Sequence, residues 1–320
     1  MKVLSMDGGG VKGLFYLYAL THLQEESNGC LSSSFDLVVG CSIGAVVGAL
    51  LVTGQLDDKK TYNDMDDMVD RLLPHFFDRR QPGSPFLRPY YDGITKSKFL
   101  QSIFGDRTLG SLGHTKLAVI TSCFGSLEER VFTSWGDPDV RIADVVDASS
   151  ALPLFFPPVR VQQKFYWDGI LVKSKTITST LRIMTRYWQL TRDNKDGTYQ
   201  KEELRDVLNS DRVHLCSMGN TSSVRSYYQI NSGEEHVRSE VGLLALFRLG
   251  TIQSFMTSSD QEVEDELLHH LLPNGRYIRV QSRLDTKMVD VIEPWLRTAC
   301  RQQADKIRND LVRWLTSCSQ

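Results

Sequence analysis

Within the first fifty residues a short apolar strand runs into a glycine-rich loop and then into an apolar helix, and the pattern occurs twice. Lys2 to Met6 leads into Asp7-Gly8-Gly9-Gly10-Val11-Lys12-Gly13. Leu14 to Glu26 then carries Leu14, Leu17, Tyr18, Thr21 and Leu23 roughly on one helical face. Phe35 to Val39 leads into Gly40-Cys41-Ser42-Ile43-Gly44, and Ile43 to Val52 continues as an apolar helix. Strands alternating with helices over so few residues pair in parallel through crossovers. The sequence therefore predicts an α/β chain: a three-layer sandwich with a central, mostly parallel sheet covered by helices on both faces.

The second unit also contains the one stretch that competes with this reading. The twenty residues between Asp36 and Asp57 are uncharged, long enough for a membrane span, with Gly40, Gly44 and Gly48 at four-residue spacing. Acidic residues flank both ends, where an inserted helix usually has a basic flank. The segment divides naturally into a buried strand and a buried helix, so no transmembrane segment is expected. Asp7 interrupts the first apolar run, so no secretory leader is expected either.

Composition narrows the function classes. Lys and Arg number 37 against 39 Asp and Glu, so no basic excess points to nucleic acid. The hydrophobic fraction of 41% excludes a disordered chain. The six cysteines (Cys30, Cys41, Cys123, Cys216, Cys300, Cys318) form no Cys-x-x-Cys pair. That pattern argues against a zinc site and for reduced thiols, hence a cytoplasmic protein.

Further along, Asp57 to Leu73 reads as an acidic helix with a solvated face, and the Pro- and aromatic-rich stretch after it as irregular. Lys116 to Thr121, Glu129 to Thr133, Phe165 to Trp167, Val213 to Met218 and Tyr277 to Gln281 read as strands. Ala143 to Ser150, Gly242 to Met256 and Glu262 to Leu272 read as helices. Pro294 opens a terminal helix with Leu296, Cys300, Ala304, Ile307, Leu311 and Leu315 on one stripe and a basic opposite face. Residues 171–210 carry no clear pattern and are expected to be an excursion within a single domain spanning 1–320. Arg192 to Glu203 nearly fits a calcium loop, but Arg192 replaces the first carboxylate, so no metal or other cofactor is expected. The aromatics Phe76, Phe77, Phe86, Leu87, Tyr90 and Tyr91 suit either a gate over a lipid pocket or the packing of a long loop.

The chemistry lies in the two loops. Gly40-Cys41-Ser42-Ile43-Gly44 fits the Gly-x-Ser-x-Gly nucleophile elbow, in which glycines two positions either side of the serine leave room for a sharp turn. Ser42 would then stand at a helix N-terminus, which favours developing negative charge. Gly8, Gly9 and Gly10 let backbone N–H groups converge on an oxyanion or a phosphate. Gly8-x-Gly10-x-x-Gly13 has the spacing of a dinucleotide fingerprint, but no acidic residue ends the next strand.

Together with Ala148-Ser149-Ser150-Ala151-Leu152-Pro153-Leu154-Phe155-Phe156-Pro157-Pro158 and Asp168-Gly169, these loops resemble those of the patatin-like phospholipases. The resemblance covers residues 1–170 well and 213–315 loosely. It implies a Ser42–Asp168 catalytic dyad and an oxyanion loop of Gly8, Gly9 and Gly10, with Lys12 where the family has Arg or Lys. It implies a serine lipid acyl hydrolase, working through an acyl-enzyme on lipid or phospholipid at a membrane or micelle surface, hence a peripheral association with membranes. The family's Asn-Pro after the Asp-Gly is missing here. Two other readings remain open: a Ser–Asp–His esterase with His214, His236 or His269 as base, and a catalytically silent lipid-binding module.

Overall fold

The computed structural model describes residues 1–26, 30–57, 65–77, 88–172, 176–193, 204–209, 212–221, 261–284 and 294–318. Among them one sheet holds eight strands: β1 (Lys2–Met6), β2 (Leu37–Cys41), β3 (Lys116–Cys123), β4 (Glu129–Thr133), β5 (Val159–Val161), β6 (Lys164–Asp168), β7 (His214–Thr221) and β8 (Tyr277–Arg283). Hydrogen-bonded neighbours run β5-β6-β3-β2-β1-β7-β8, with β4 on β3. The pairs β1–β2, β1–β7, β2–β3 and β7–β8 are parallel; β4 and β6 lie antiparallel to β3.

Alternation along the strands separates two helical layers. Leu4, Met6, Val38, Leu117, Val119 and Met218 pack with α1 (Leu14–Glu26), α2 (Ile43–Val52), α5 (Ile142–Ser149) and α9 (Pro294–Ser317). Val3, Leu37, Val39, Ala118, Ile120 and Leu215 pack with α6 (Ile177–Asp193), α7 (Leu204–Asn209) and α8 (Gln261–Leu271). Each such buried aliphatic contributes about 1.5–3 kcal/mol, and strands buried on both faces explain why β2 reads as a continuous apolar run. The three-layer α/β expectation holds. The uncharged stretch is β2 followed by α2, and no helix among the described residues is long and apolar enough to cross a membrane.

Details differ from the sequence reading. β2 starts at Leu37 rather than Phe35, because the Asp36 carboxylate accepts a hydrogen bond from the Lys2 amide (2.6 Å) ahead of the ladder. α3 (Met65–Phe76) forms the described part of the expected acidic helix, while Asp57 accepts from the Ser32 amide (3.0 Å) and residues 58–64 lie outside the described residues. Its acidic face is not simply solvated: Asp66 and Asp70 pair with Arg301 and Arg297 of α9. α4 (Ile94–Phe104) was not foreseen. The patternless stretch contains α6, whose inner face hides polar groups; Ser5 of β1 bonds Thr176 (2.6 Å) and Thr180 (2.9 Å). The expected helix 242–256, Phe86, Leu87, His236 and most of the calcium-like stretch lie outside the described residues.

The topology prepares one location for chemistry. β1 has β2 on one side and β7 on the other, so chain crossovers diverge beyond the carboxyl ends of these strands, where ligands bind in open α/β sheets. Both glycine loops leave the sheet there. Thr121 and Ser122 of β3 pair with β4 on one edge and with β6 on the other, so β6 takes up the β2 edge of β3 where β2 ends. Cys41 pairs with Ile120, and Asp168 with the next residue, Thr121.

Candidate active site

Ser42 sits between β2 and α2 with φ 54° and ψ −126°, a left-handed conformation unusual for a residue with a side chain. The turn closes because its glycines leave room. A Cβ on Gly40 would stand 2.6 Å from the Gly44 carbonyl oxygen, and one on Gly44 would stand 2.3 Å from that of Met6. The Ser42 amide donates to Ser149 Oγ (2.9 Å), whose hydroxyl donates to the Ile120 carbonyl (2.7 Å). Ser149, at the end of α5, thus ties the elbow to β3.

Asp168 ends β6 and is 1% exposed. Its amide donates to the Ala151 carbonyl (3.0 Å), which fixes the strand end. Gly169 lets the chain turn against β3, since a Cβ there would stand 2.6 Å from the Ile120 oxygen. Ser42 lies close enough to the Asp168 carboxylate to favour its charged form. The Ile170 amide (3.0 Å) and the Cys41 thiol (3.7 Å) donate to its Oδ1. Burial pushes this carboxyl up from 3.8 to about 6, against the opposing effects of Ser42, the Ile170 amide, the charge of Lys96 and the Cys41 thiol. Cys41 is itself buried beside that carboxylate; burial first, and then the charge of Asp168, push its thiol far up, so it stays protonated and remains a donor.

The glycine loop lies against the elbow serine. A Cβ on Gly8 would stand 3.2 Å from Ser42 Cβ and 3.3 Å from Ile170 Cδ1. Gly10 opens a 3-10 turn, Gly10–Gly13, with φ 58°. Gly13 has no room for a side chain, because Ile43 of α2 fills that space. Lys12 is 1% exposed, so its stem is packed inside the fold rather than along an open lip.

Sequence reasoning missed several residues here. Lys96 of α4, 1% exposed, pairs with Asp147 (3.0 Å), donates to Ser150 Oγ (3.2 Å) and lies 4.3 Å from the Phe156 ring centre. It is a buried cation whose charge favours the ionised form of Asp168. A lone lysine in an unremarkable helix carries no local signal of this role. Ser149 lay within the quoted Ala148–Pro158 stretch without being singled out. Phe77, Tyr91 and Phe156 pack against one another, with ring centres 5.4–6.1 Å apart, so the aromatics described here are packed core.

Among the described residues, neither His214 nor His269 stands with this cluster. His214 opens β7 opposite Lys2, at the amino edge of the sheet, whereas Ser42 lies beyond its carboxyl edge. The strand expected over Val213 to Met218 runs from His214 on to Thr221, which leaves His214 at its amino end. His269 meets the Tyr277 ring edge to face (ring centres 4.9 Å apart), and Tyr277 opens β8 at the same amino edge.

A family model described as patatin-like phospholipase matches residues 4–181. Patatin-like protein 1 of Arabidopsis thaliana is 28% identical over 180 residues, covering 49% of this chain and 43% of that protein. An intracellular phospholipase A2 of Caenorhabditis elegans is 29% identical over 119 residues, 37% of this chain and 10% of that protein. The chain thus spans less than half the length of either curated relative. Among solved structures, VipD from Legionella pneumophila aligns over 96% of this chain and 66% of that one, at 15% identity and a TM-score of 0.48. With more than half of its residues matched by the family model and both glycine loops, the elbow serine and the Asp-Gly turn inside the match, the chain belongs to the patatin-like phospholipase family.

Proposed function

We propose that this protein is a serine lipid acyl hydrolase with a Ser42–Asp168 dyad. The observation that carries the reading is a strained elbow serine, Ser42, set beside the buried Asp168 carboxylate, whose pKa is raised to about 6. A free aspartate is a poor base for a hydroxyl; the raised value brings it closer to neutrality while leaving it mostly ionised at pH 7. Ser42 Oγ attacks the acyl carbonyl as its proton passes to Asp168. The tetrahedral oxyanion forms under the backbone N–H groups of Gly8, Gly9 and Gly10, and collapse expels the alcohol, which takes the proton from Asp168. Water then attacks the acyl-enzyme, Asp168 accepts its proton, and Ser42 leaves reprotonated with release of the fatty acid. No step requires a metal or other cofactor.

A lipid surface suits the exposed side of the site. Phe124, Leu127 and Phe165 are each about half exposed, and Phe124 packs on Trp167, the neighbour of Asp168. Isolated exposed aromatics on the rim of a site favour insertion into a membrane or micelle interface. A fluorophosphonate probe tests the reading: it labels Ser42 in the wild-type protein, and Ser42→Ala removes both the label and the turnover of short- and long-chain esters. Undiminished labelling of Ser42→Ala protein overturns it.

A further inference from the structure

Gly8, Gly9 and Gly10 offer only backbone atoms to an oxyanion, so something else must hold them in place. Their anchor is Asp7, 4% exposed, whose amide extends the β1–β7 ladder by donating to the Met218 carbonyl (3.0 Å). Asp7 Oδ1 accepts from the Thr176 amide (2.9 Å) and hydroxyl (2.7 Å). Its Oδ2 accepts from Nη2 of Arg279 (2.6 Å), and both side chains of this pair are nearly inaccessible, at 7% and 6% exposure. Arg279 Nη1 donates in turn to Ser217 Oγ (2.5 Å).

The surroundings are shaped for this contact. Gly219 of β7 has no side chain where one would collide: a Cβ there would stand 2.0 Å from Arg279 Nη2 and 2.8 Å from Asp7 Oδ2. The Asp7 carbonyl is held separately. It accepts from Tyr16 (3.0 Å), whose hydroxyl accepts from Asn220 (2.8 Å), and Asn220 Oδ1 accepts from Ser282 (2.7 Å). Four of these groups, Ser217, Asn220, Arg279 and Ser282, belong to β7 and β8, beyond the residues that the family model matches.

We propose that Arg279, seated in the space left by Gly219, is a positioning residue for acyl transfer, holding the Gly8–Gly10 oxyanion loop over Ser42 through Asp7. The inference rests on the dyad reading above. A donor displaced by even an ångström stabilises the transition state far less, while the substrate's ground-state binding is little changed. Arg279 touches neither Ser42 nor substrate; its effect passes through the loop.

The test measures ester turnover by wild type, Arg279→Met, Arg279→Lys and the double variant Asp7→Asn/Arg279→Met, with Ser42→Ala as control. Sites are counted by the end-point stoichiometry of fluorophosphonate labelling, so kcat refers to folded, reactive molecules only. The expected result is a fall in kcat per labelled site of about 10²-fold in Arg279→Met with KM within twofold, and recovery of at least tenfold in Arg279→Lys, which keeps the charge. The double variant leaves no lone buried charge and so tests the point even if Arg279→Met fails to fold; it should fold and stay slow. Full kcat per labelled site with a smaller labelled fraction means that Arg279 only supports folding, and overturns the proposal. So does a raised KM at unchanged kcat. If wild-type turnover does not depend on Ser42, the dyad reading falls and takes this inference with it. A Ser42-dependent wild type with fully active Arg279 variants sinks this inference alone.

Discussion

Two buried aspartates flank the Ser42 elbow, and their surroundings differ in kind. Asp168 is held by neutral donors, the Ile170 amide and the Cys41 thiol, with Ser42 beside it, and the cation that acts on it, Lys96, is engaged by Asp147. Asp7 faces a guanidinium directly and two donors of Thr176. Burial works against the Arg279 charge, yet the attraction of Asp7 outweighs it and holds the guanidinium above its ordinary pKa. A carboxylate that must accept a proton cannot be fully neutralised by a partner, because a close cation would depress its basicity. A carboxylate that must hold a loop gains from that partner, provided that neither is left alone. The same residue type on one sheet thus becomes a base or an anchor according to what faces it.

The widest separation between the two should come from asparagine substitutions. Asp168→Asn is expected to lower kcat by roughly 10³-fold or more while the protein stays folded. It should also stabilise the protein at pH 8. A carboxyl raised from 3.8 to about 6 disfavours its ionised form in the fold by about 3 kcal/mol. Because the folded value is the higher one, wild type is relatively stable below 3.8 and loses that stability as pH rises through about 6. The gain from Asp168→Asn should therefore shrink towards zero at pH 4. Asp7→Asn should act in the opposite direction, costing about 3–5 kcal/mol by leaving Arg279 unpaired. Urea midpoints of both variants at pH 8 and pH 4 check the contrast; destabilisation by Asp168→Asn at pH 8 would erase it.

A smaller effect sharpens the role of Lys96. Activity requires ionised Asp168, so kcat/KM should fall as pH drops through about 6 and level off above it. Removing a positive charge that favours the carboxylate should raise its pKa, so Lys96→Met should move that limb to higher pH. A limb that stays in place would show that Lys96 acts only in packing α4 against α5. The smallest effect concerns the imidazoles: His214→Ala and His269→Ala should each keep activity within about twofold, as read from kcat/KM. Either variant as inactive as Asp168→Asn would favour a triad over the dyad.

Much of the site was legible because local geometry demanded particular residues. A strand that must turn sharply into a helix with serine at its apex needs glycine at 40 and 44, and the two loops interlock through Gly13 and Gly44. The three layers were legible from the strand–helix alternation, and the α9 stripe from its apolar spacing. α6 buries Ile177, Ile183, Met184 and Trp188, but its first turn also buries Ser179 and Thr180, which are satisfied by Glu129 and Ser5 across the interface. Buried polar residues interrupt an apolar stripe in the sequence without breaking the packed face in space. The acidic α3 and the basic side of α9 each read as solvated for a related reason: one helix seen alone does not show its partner.

The amino-acid sequence by itself determined where the elbow serine stands and that glycines surround it, since both follow from steric demands within a few neighbouring residues; that the Asp-Gly turn belongs with it was implied by the family resemblance alone. Only the tertiary structure decided which side chains control those residues. Lys96 comes within reach of Asp168 through packing of α4 on α5, and Arg279 reaches Asp7 across 272 positions because β7 lies between β1 and β8. Electrostatic control depends on distance and on exclusion of water, and both are set by the assembled sheet and its helices rather than by proximity along the chain.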